Sequence, residues 1–214
     1  MDNTNTQRFL KQAGVALLSG SFLMVVTMVL HPTGGNIERL YQMMGINITA
    51  HSIGIAAVPF TLFGFWGVAR RLGSNNALNM LAFTIVALSM VAVVMAAAMN
   101  GLVLPFFLQS FQDTWQQSEQ QVRLVLTYNF AVNRAMDYIF IVGICAGMAL
   151  WSVVVVRTKQ LGAWVGWVGL VISAGAVVFL ASGANLIHLH GFRLFIFSIV
   201  AWIALMGIQL VRGK

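Results

Sequence analysis

The sequence predicts an all-α protein, a polytopic bundle of six transmembrane helices in a single domain, residues 1–214. Hydrophobic residues make up 59% of the chain and charged residues only 8%, whereas soluble domains carry about 25% charged residues. Such a chain cannot cover itself with a surface that faces water, so the lipid bilayer is the solvent that fits it. About 20 helical residues cross the hydrocarbon core. Six apolar segments qualify, namely residues 13–30, 49–69, 78–104, 131–156, 163–184 and 192–211.

The first segment has the charge pattern of a signal peptide, because Arg8 and Lys11 precede its apolar run. However, the run from Ala13 to Leu30 is long for a signal peptide, and no Ala-x-Ala-like cleavage site follows it. We therefore predict a first transmembrane helix. Pro32 and the glycines after it end this helix, since proline cannot continue a helix and glycine permits a tight turn.

Basic residues indicate the direction of the six helices, because cytoplasmic loops carry an excess of Lys and Arg. If the helices simply alternate, eight of the twelve basic residues fall on the side of both termini. We therefore predict an integral protein of a bacterial inner membrane with cytoplasmic termini. The basic residues occur in pairs between apolar segments and form no basic face, which argues against nucleic acid as a partner. The eight are Arg8, Lys11, Arg70, Arg71, Arg157, Lys159, Arg212 and Lys214.

The two long outer connections each predict a short amphipathic helix on the outer face of the bundle, because apolar residues recur in them at helical spacing. We interpret both as interfacial connectors, with a lid over the bundle as the alternative. The apolar residues are Ile37, Leu40, Tyr41 and Met44 in residues 36–47, and Phe107, Phe111, Trp115, Val122 and Leu126 in residues 106–126.

Polar residues of several spans share one depth in the membrane. His31 follows Lys11 by 20 residues, and Asp137 precedes Arg157 by 20 residues, which is about 30 Å along a helix in each case. The deeper parts of the spans are nearly free of ionisable groups, which argues against an ion conduit through the membrane. We therefore predict a polar site at the outer boundary.

The residue types at this depth suggest two kinds of site. Imidazole is a common ligand of metals, and the four histidines include the pair His188-x-His190. Zinc, copper or haem could therefore bind here. Amide and charged side chains at the same depth could instead contact a small molecule or a lipid. The candidate metal ligands are His31, His51, His188 and His190, and the candidate ligand-binding residues are Asn100, Asn133, Arg134, Asp137 and Asn185.

The specific activity is left open by the sequence, including whether the protein is an enzyme. It contains no GxxxxGK[ST], HExxH, CxxC or GxSxG motif, so nucleotide hydrolysis and common protease chemistries have no support. Three hypotheses remain. The polar site binds a metal, a haem or a small ligand, the protein is a small transporter, or it is a structural subunit whose polar cluster only fixes the bundle.

Overall fold

The computed structural model describes residues 3–32, 35–182 and 189–213, without the side chains of Asn3, Leu189 and His190. These residues form an all-α bundle, which confirms the predicted fold class. A five-residue π-helical turn, Met99–Val103, joins two of the helices. The helices of the described part are α1 (Asn3–Leu30), α2 (Ile37–Gln42), α3 (Met44–Arg71), α4 (Ala77–Ala98), α5 (Leu104–Gln109), α6 (Glu119–Thr158), α7 (Ala163–Ala181) and α8 (Leu189–Arg212).

Six of these helical stretches are long and apolar enough to cross a membrane: α1, α3, α4 with its continuation to Gln109, α6, α7 and α8. Each predicted span falls on one of them. Helix α7 ends at Ala181, before the predicted end at residue 184. The protein therefore has the helices of an integral membrane protein.

The second long connection is more helical than the sequence suggested. Instead of one separate helix over residues 106–126, α4 continues through the π turn into α5, and α6 already begins at Glu119. Only residues 110–118 turn back. Each helix end leaves backbone groups without intrahelical partners, so extending the two flanking helices avoids the extra ends that a separate helix would create. The short helix between spans is thus α2, whereas α5 continues the third span.

The long helices form a closed ring. Helix α1 packs against α3 and α8, α3 packs against α4, α4 against α6, α6 against α7, and α7 against α8. Small residues allow the closest of these approaches. A Cβ atom at Gly14 would lie 2.7 Å from the carbonyl oxygen of Gly207, so only glycine lets α1 and α8 approach this closely.

One end of the ring carries the basic pairs of the α3–α4 and α6–α7 connections, and we refer to it as the basic end. A buried amide ties it together. Nδ2 of Asn79 donates to the carbonyl oxygens of Ala69, at 2.7 Å, and Gly73, at 2.9 Å, and its Oδ1 accepts from Trp151 Nε1 at 2.8 Å. Asn79 therefore fixes the turn between α3 and α4 to α6.

The opposite end, called the histidine end here, carries His31, His51 and a second apolar cluster separate from the main core. Helix α6 has 40 residues, or about 60 Å of length, roughly twice the hydrocarbon thickness. Its first part therefore extends beyond what a span requires and packs against α5. The buried members of this cluster are Ile37, Leu104, Leu108, Val122 and Leu126.

Candidate functional site

A cavity of about 300 Å³ opens at the histidine end, between α1, α3, α4 with its π turn, α6 and α8. Helix α7 contributes no side chain to its walls. Polar side chains from four different elements meet at one end of this cavity, and we call them the polar ring. The polar ring consists of His31, His51, Asn100, Asn133 and Asp137.

Below the polar ring, the cavity walls are almost entirely apolar. They reach Met24 on α1, seven residues before His31, and Val58 on α3, seven residues after His51. Seven helical residues correspond to a depth of about 10 Å below the polar ring. Beyond this depth the bundle is solid, because the side chains that follow toward the basic end are fully buried. The main apolar lining residues are Met24, Met28, Val58, Met90, Val93, Phe140, Phe192, Ile196 and Ile203, and the solid part includes Leu17, Phe65, Trp151 and Met206.

The two histidines of the ring lie against each other, with ring centroids 4.9 Å apart. Nδ1 of His31 is 3.1 Å from the carbonyl oxygen of Pro32, and Nδ1 of His51 is 2.9 Å from that of Asn47. A carbonyl oxygen can only accept, so each Nδ1 donates its hydrogen. In the neutral ring, Nε2 then carries a lone pair and acts as an acceptor or a metal ligand.

His31 follows the end of α1 and is neutral at physiological pH. Burial, the neighbouring His51 and the positive charge of Arg193 lower its pKa to about 4, while the hydrogen bond to Pro32 acts in the opposite direction. Arg193 also holds the backbone here, because its Nη2 donates to the carbonyl oxygen of His31 at 2.8 Å. Burial and the nearby positive charge therefore disfavour protonation of His31. The lone pair on its Nε2 stays available to accept a hydrogen bond or to bind a metal.

Amide hydrogen bonds hold the rest of the ring in place. Asn47 Nδ2 donates to the backbone oxygen of Asn100 at 2.8 Å, and Asn129 Nδ2 donates to its Oδ1 at 2.7 Å. Asn133 Nδ2 donates to Asp137 Oδ2 at 2.8 Å. Asn100 belongs to the π turn, and such turns often occur at functional sites because they change the direction of one side chain within a helix.

The structure brings together five of the predicted site residues: His31, His51, Asn100, Asn133 and Asp137. Arg134 lies elsewhere, on an exposed face of α6, with its guanidinium 5.8 Å from the centroid of the Tyr138 ring. The expected pairing of Arg134 with Asp137 is absent among the described contacts. Asn133 takes the place of Arg134 because it lies one helical turn before Asp137, on the face that lines the cavity.

Three predicted residues fall outside this description. Asn185 and His188 lie outside the described residues, as does the side chain of His190. In the described ranges, no group of three or more His, Cys, Asp or Glu side chains is arranged to hold a metal ion. His31 and His51 do share a feature of metal ligands, because each donates its other ring nitrogen to a backbone carbonyl. Binding of zinc, copper or haem therefore stays a prediction.

Two residues that hold the site were missed at the sequence level. Asn47 lies within the connection that was interpreted as amphipathic, and Asn129, which is 3% exposed, lies before the predicted start of the fourth span. A signal for Asn129 was present, since it precedes Asn133 by four residues and so shares its helix face.

Comparison with protein-family models, with curated proteins and with solved structures found no significant match to this chain.

Proposed function

We propose that this membrane protein binds a small amphipathic molecule, with the apolar part of that molecule in the cavity and its polar part at the polar ring. The observation that carries this proposal is the cavity itself, which joins a hydrogen-bonding end to about 10 Å of apolar wall. Ligand sites are typically concave and mostly apolar, with a few polar groups that set orientation. A structural polar cluster would not require this space beneath it.

The chemistry of the polar ring selects the polar part of the ligand. Nε2 of His31 and of His51 accept hydrogen bonds, and the Asp137 carboxyl group provides further acceptor oxygens. A ligand that donates hydrogen bonds, through hydroxyl or amine groups, complements these acceptors. An ether or ester oxygen alone would leave them without partners, which costs free energy in a buried site.

The distribution of the basic residues indicates which side of the membrane the histidine end faces. We place the histidine end at the outer face, since the basic end then lies in the cytoplasm as loops rich in Lys and Arg do. The ligand would come from the outer half of the bilayer. The solid packing between the cavity and the basic end supports binding rather than passage across the membrane.

Filling the cavity tests this proposal. Val93 lines the cavity on α4, whereas Val91, on the same helix, is 55% exposed and faces away. We expect monolauroylglycerol, which has one chain and two hydroxyl groups, to raise the melting temperature of the wild-type protein in digitonin by about 5 °C at a concentration far above its Kd. Digitonin is chosen because it has no flexible chain that competes for the cavity. Val93→Phe should abolish the shift, and Val91→Phe should retain it.

Two results would contradict the proposal. One is an equal shift in Val93→Phe and the wild-type protein, because the ligand would then bind outside the cavity. The other is the absence of any shift in the wild-type protein with both monolauroylglycerol and dodecylamine, a probe with an amine head. The polar ring would in that case stabilise the bundle without binding a ligand of this kind.

A further inference from the structure

A second, smaller chamber of about 130 Å³ adjoins the cavity beneath α2. The two spaces meet at the residues that they share, and we call this boundary the partition. It consists of His31, Pro32, His51 and Asn100. The other walls of the smaller chamber lie farther from the basic end, since Asn47 precedes His51 by one helical turn and Leu104 follows Asn100 by four residues. We call this space the cap chamber, and its remaining lining residues are Gly35, Arg39, Leu40, Met43, Asn47, Leu104 and Phe130.

The cap chamber and the cavity differ in charge. The only fully charged side chain among the described lining residues of the cap chamber is Arg39, and no carboxylate lines it. Glu38 is exposed and accepts a hydrogen bond from Asn36 Nδ2 at 3.5 Å. Arg193 adds a second positive charge beside the partition, through its bond to the carbonyl oxygen of His31. Asp137, in contrast, lines only the cavity.

A buried donor on Arg193 also indicates that the region around the partition favours a negatively charged group. Nε of Arg193 is buried and has no hydrogen-bond acceptor within the described residues. Buried donors usually have an acceptor in the functional state. A negatively charged group near His31 would be attracted by the positive charge of the Arg193 guanidinium.

We propose that the cap chamber binds an anionic group, a phosphate or a carboxylate, carried by the same amphipathic molecule whose apolar part occupies the cavity. This inference rests on the proposed function. It assigns the ligand class as a single-chain anionic lipid, with its chain in the cavity, its hydroxyl group at the polar ring and its anionic head beside Arg39. Arg39 keeps its present contacts in this arrangement, because a guanidinium has five N–H donors and can serve several acceptors.

The test compares monolauroylglycerol with lauroylglycerol phosphate in digitonin. The second lipid carries a phosphate group in place of one of the two hydroxyl groups of the first and keeps the same chain. We expect the wild-type protein to bind the phosphate-bearing lipid about tenfold more tightly, as a charge-assisted hydrogen bond provides. Arg39→Gln should remove this preference and leave the affinity for monolauroylglycerol unchanged. Arg123→Gln is the matched control, because Arg123 is exposed at the same end and does not line the cap chamber. It should retain the preference.

The outcomes separate this inference from the proposed function. If Arg39→Gln keeps the preference while all proteins bind monolauroylglycerol, the inference is wrong and the proposed function stands. If neither monolauroylglycerol nor dodecylamine binds the wild-type protein, the proposed function fails, and this inference fails with it. A third arm uses inorganic phosphate alone. If it stabilises the wild-type protein and not Arg39→Gln, the chamber holds a free anion, and the assignment to a lipid head is overturned.

Discussion

His31 and His51 are close enough for the charge of one to affect the other. A proton on either ring would place a positive charge near its neighbour, whose centroid is 4.9 Å away, and near Arg193. The backbone carbonyls of Pro32 and Asn47 accept from both Nδ1 atoms, so a further proton could be added only at Nε2. Protonation would therefore remove the lone pair that the proposed ligand needs on each ring.

Stability should fall in mild acid because of His31. Its pKa is about 4 in the folded protein and has an ordinary value of 6.5. Between these values the unfolded chain binds a proton that the folded protein does not, so lowering the pH from about 6.5 to 4 favours unfolding. We expect the melting temperature to fall over this range, and to fall less in His31→Gln. His51, Arg193 and Asp137 remain in both proteins, so the difference reports the proton on His31 together with the effect of His31 on its neighbour His51. An equal fall would contradict the assignment.

Counting residues from the basic anchors predicted one shared depth for His31, His51, Asn100 and Asp137, and these four residues line the same cavity. Depth alone does not give the helix face, which is why Arg134 was included although it lies on an exposed face of α6. The asparagines that orient the polar ring, Asn47 and Asn129, could not be predicted for a related reason. Whether an asparagine contacts Asn100 depends on how α3, α4 and α6 pack, and that arrangement is not encoded in any local spacing.

At the scale of elements, the π turn Met99–Val103 determines the shape of the site. It places the side chain of Asn100 in the polar ring and the backbone of Gly101 against His51. The six spans were predictable because length and apolarity are local properties. The π turn was not predicted, although a local signal exists. Pro105 cannot donate to the carbonyl of Gly101 four residues earlier, and its ring crowds that carbonyl. A tertiary contact, the bond from Asn47 to the Asn100 backbone oxygen, adds to this local effect.

Gly101 is the position where this packing can be tested. A Cβ atom there would overlap with Cβ and Cγ of His51. We expect Gly101→Ala to displace the His51 ring, to destabilise the protein by about 1–3 kcal/mol as overpacked cores do, and to weaken binding of monolauroylglycerol. Gly175→Ala is the matched control, because a Cβ atom at Gly175 meets nothing within 4 Å. Unchanged stability and binding in Gly101→Ala would show that the contact between the π turn and His51 is not rigid. Both quantities follow from thermal unfolding with and without the ligand.

At the scale of the whole molecule, the ring of helices has two unlike ends. Arg70, Arg71 and Arg157 lie at the basic end, whereas the cavity, the cap chamber and the second apolar cluster occupy the other. The sequence predicted this polarity from the distribution of charge. The space inside the ring was not predictable, because it depends on which side chains of five helices fail to fill the interior.

Labelling from one side of the membrane tests the orientation. Ser74 lies in the α3–α4 connection at the basic end, and Gln116 lies in the turn before α6 at the histidine end, both exposed. Cys145, the single native cysteine, is buried and serves as the background. We expect a membrane-impermeant maleimide to label Gln116→Cys in intact cells and Ser74→Cys only after permeabilisation, as the basic-residue bias requires. The reverse pattern would place the cavity on the cytoplasmic side.

The solid half of the bundle also has an electrical consequence. A voltage across the membrane acts with about 2.3 kcal/mol per elementary charge for each 100 mV that the charge crosses. Leu17, Phe65, Trp151 and Met206 are fully buried between the cavity and the basic end. In the membrane arrangement proposed above, most of the field would fall across the layer that they form. An ion that reaches the polar ring from the histidine end would cross only a small part of the membrane voltage. Occupancy of the site should therefore follow the composition of one compartment and remain nearly insensitive to the resting potential of the cell.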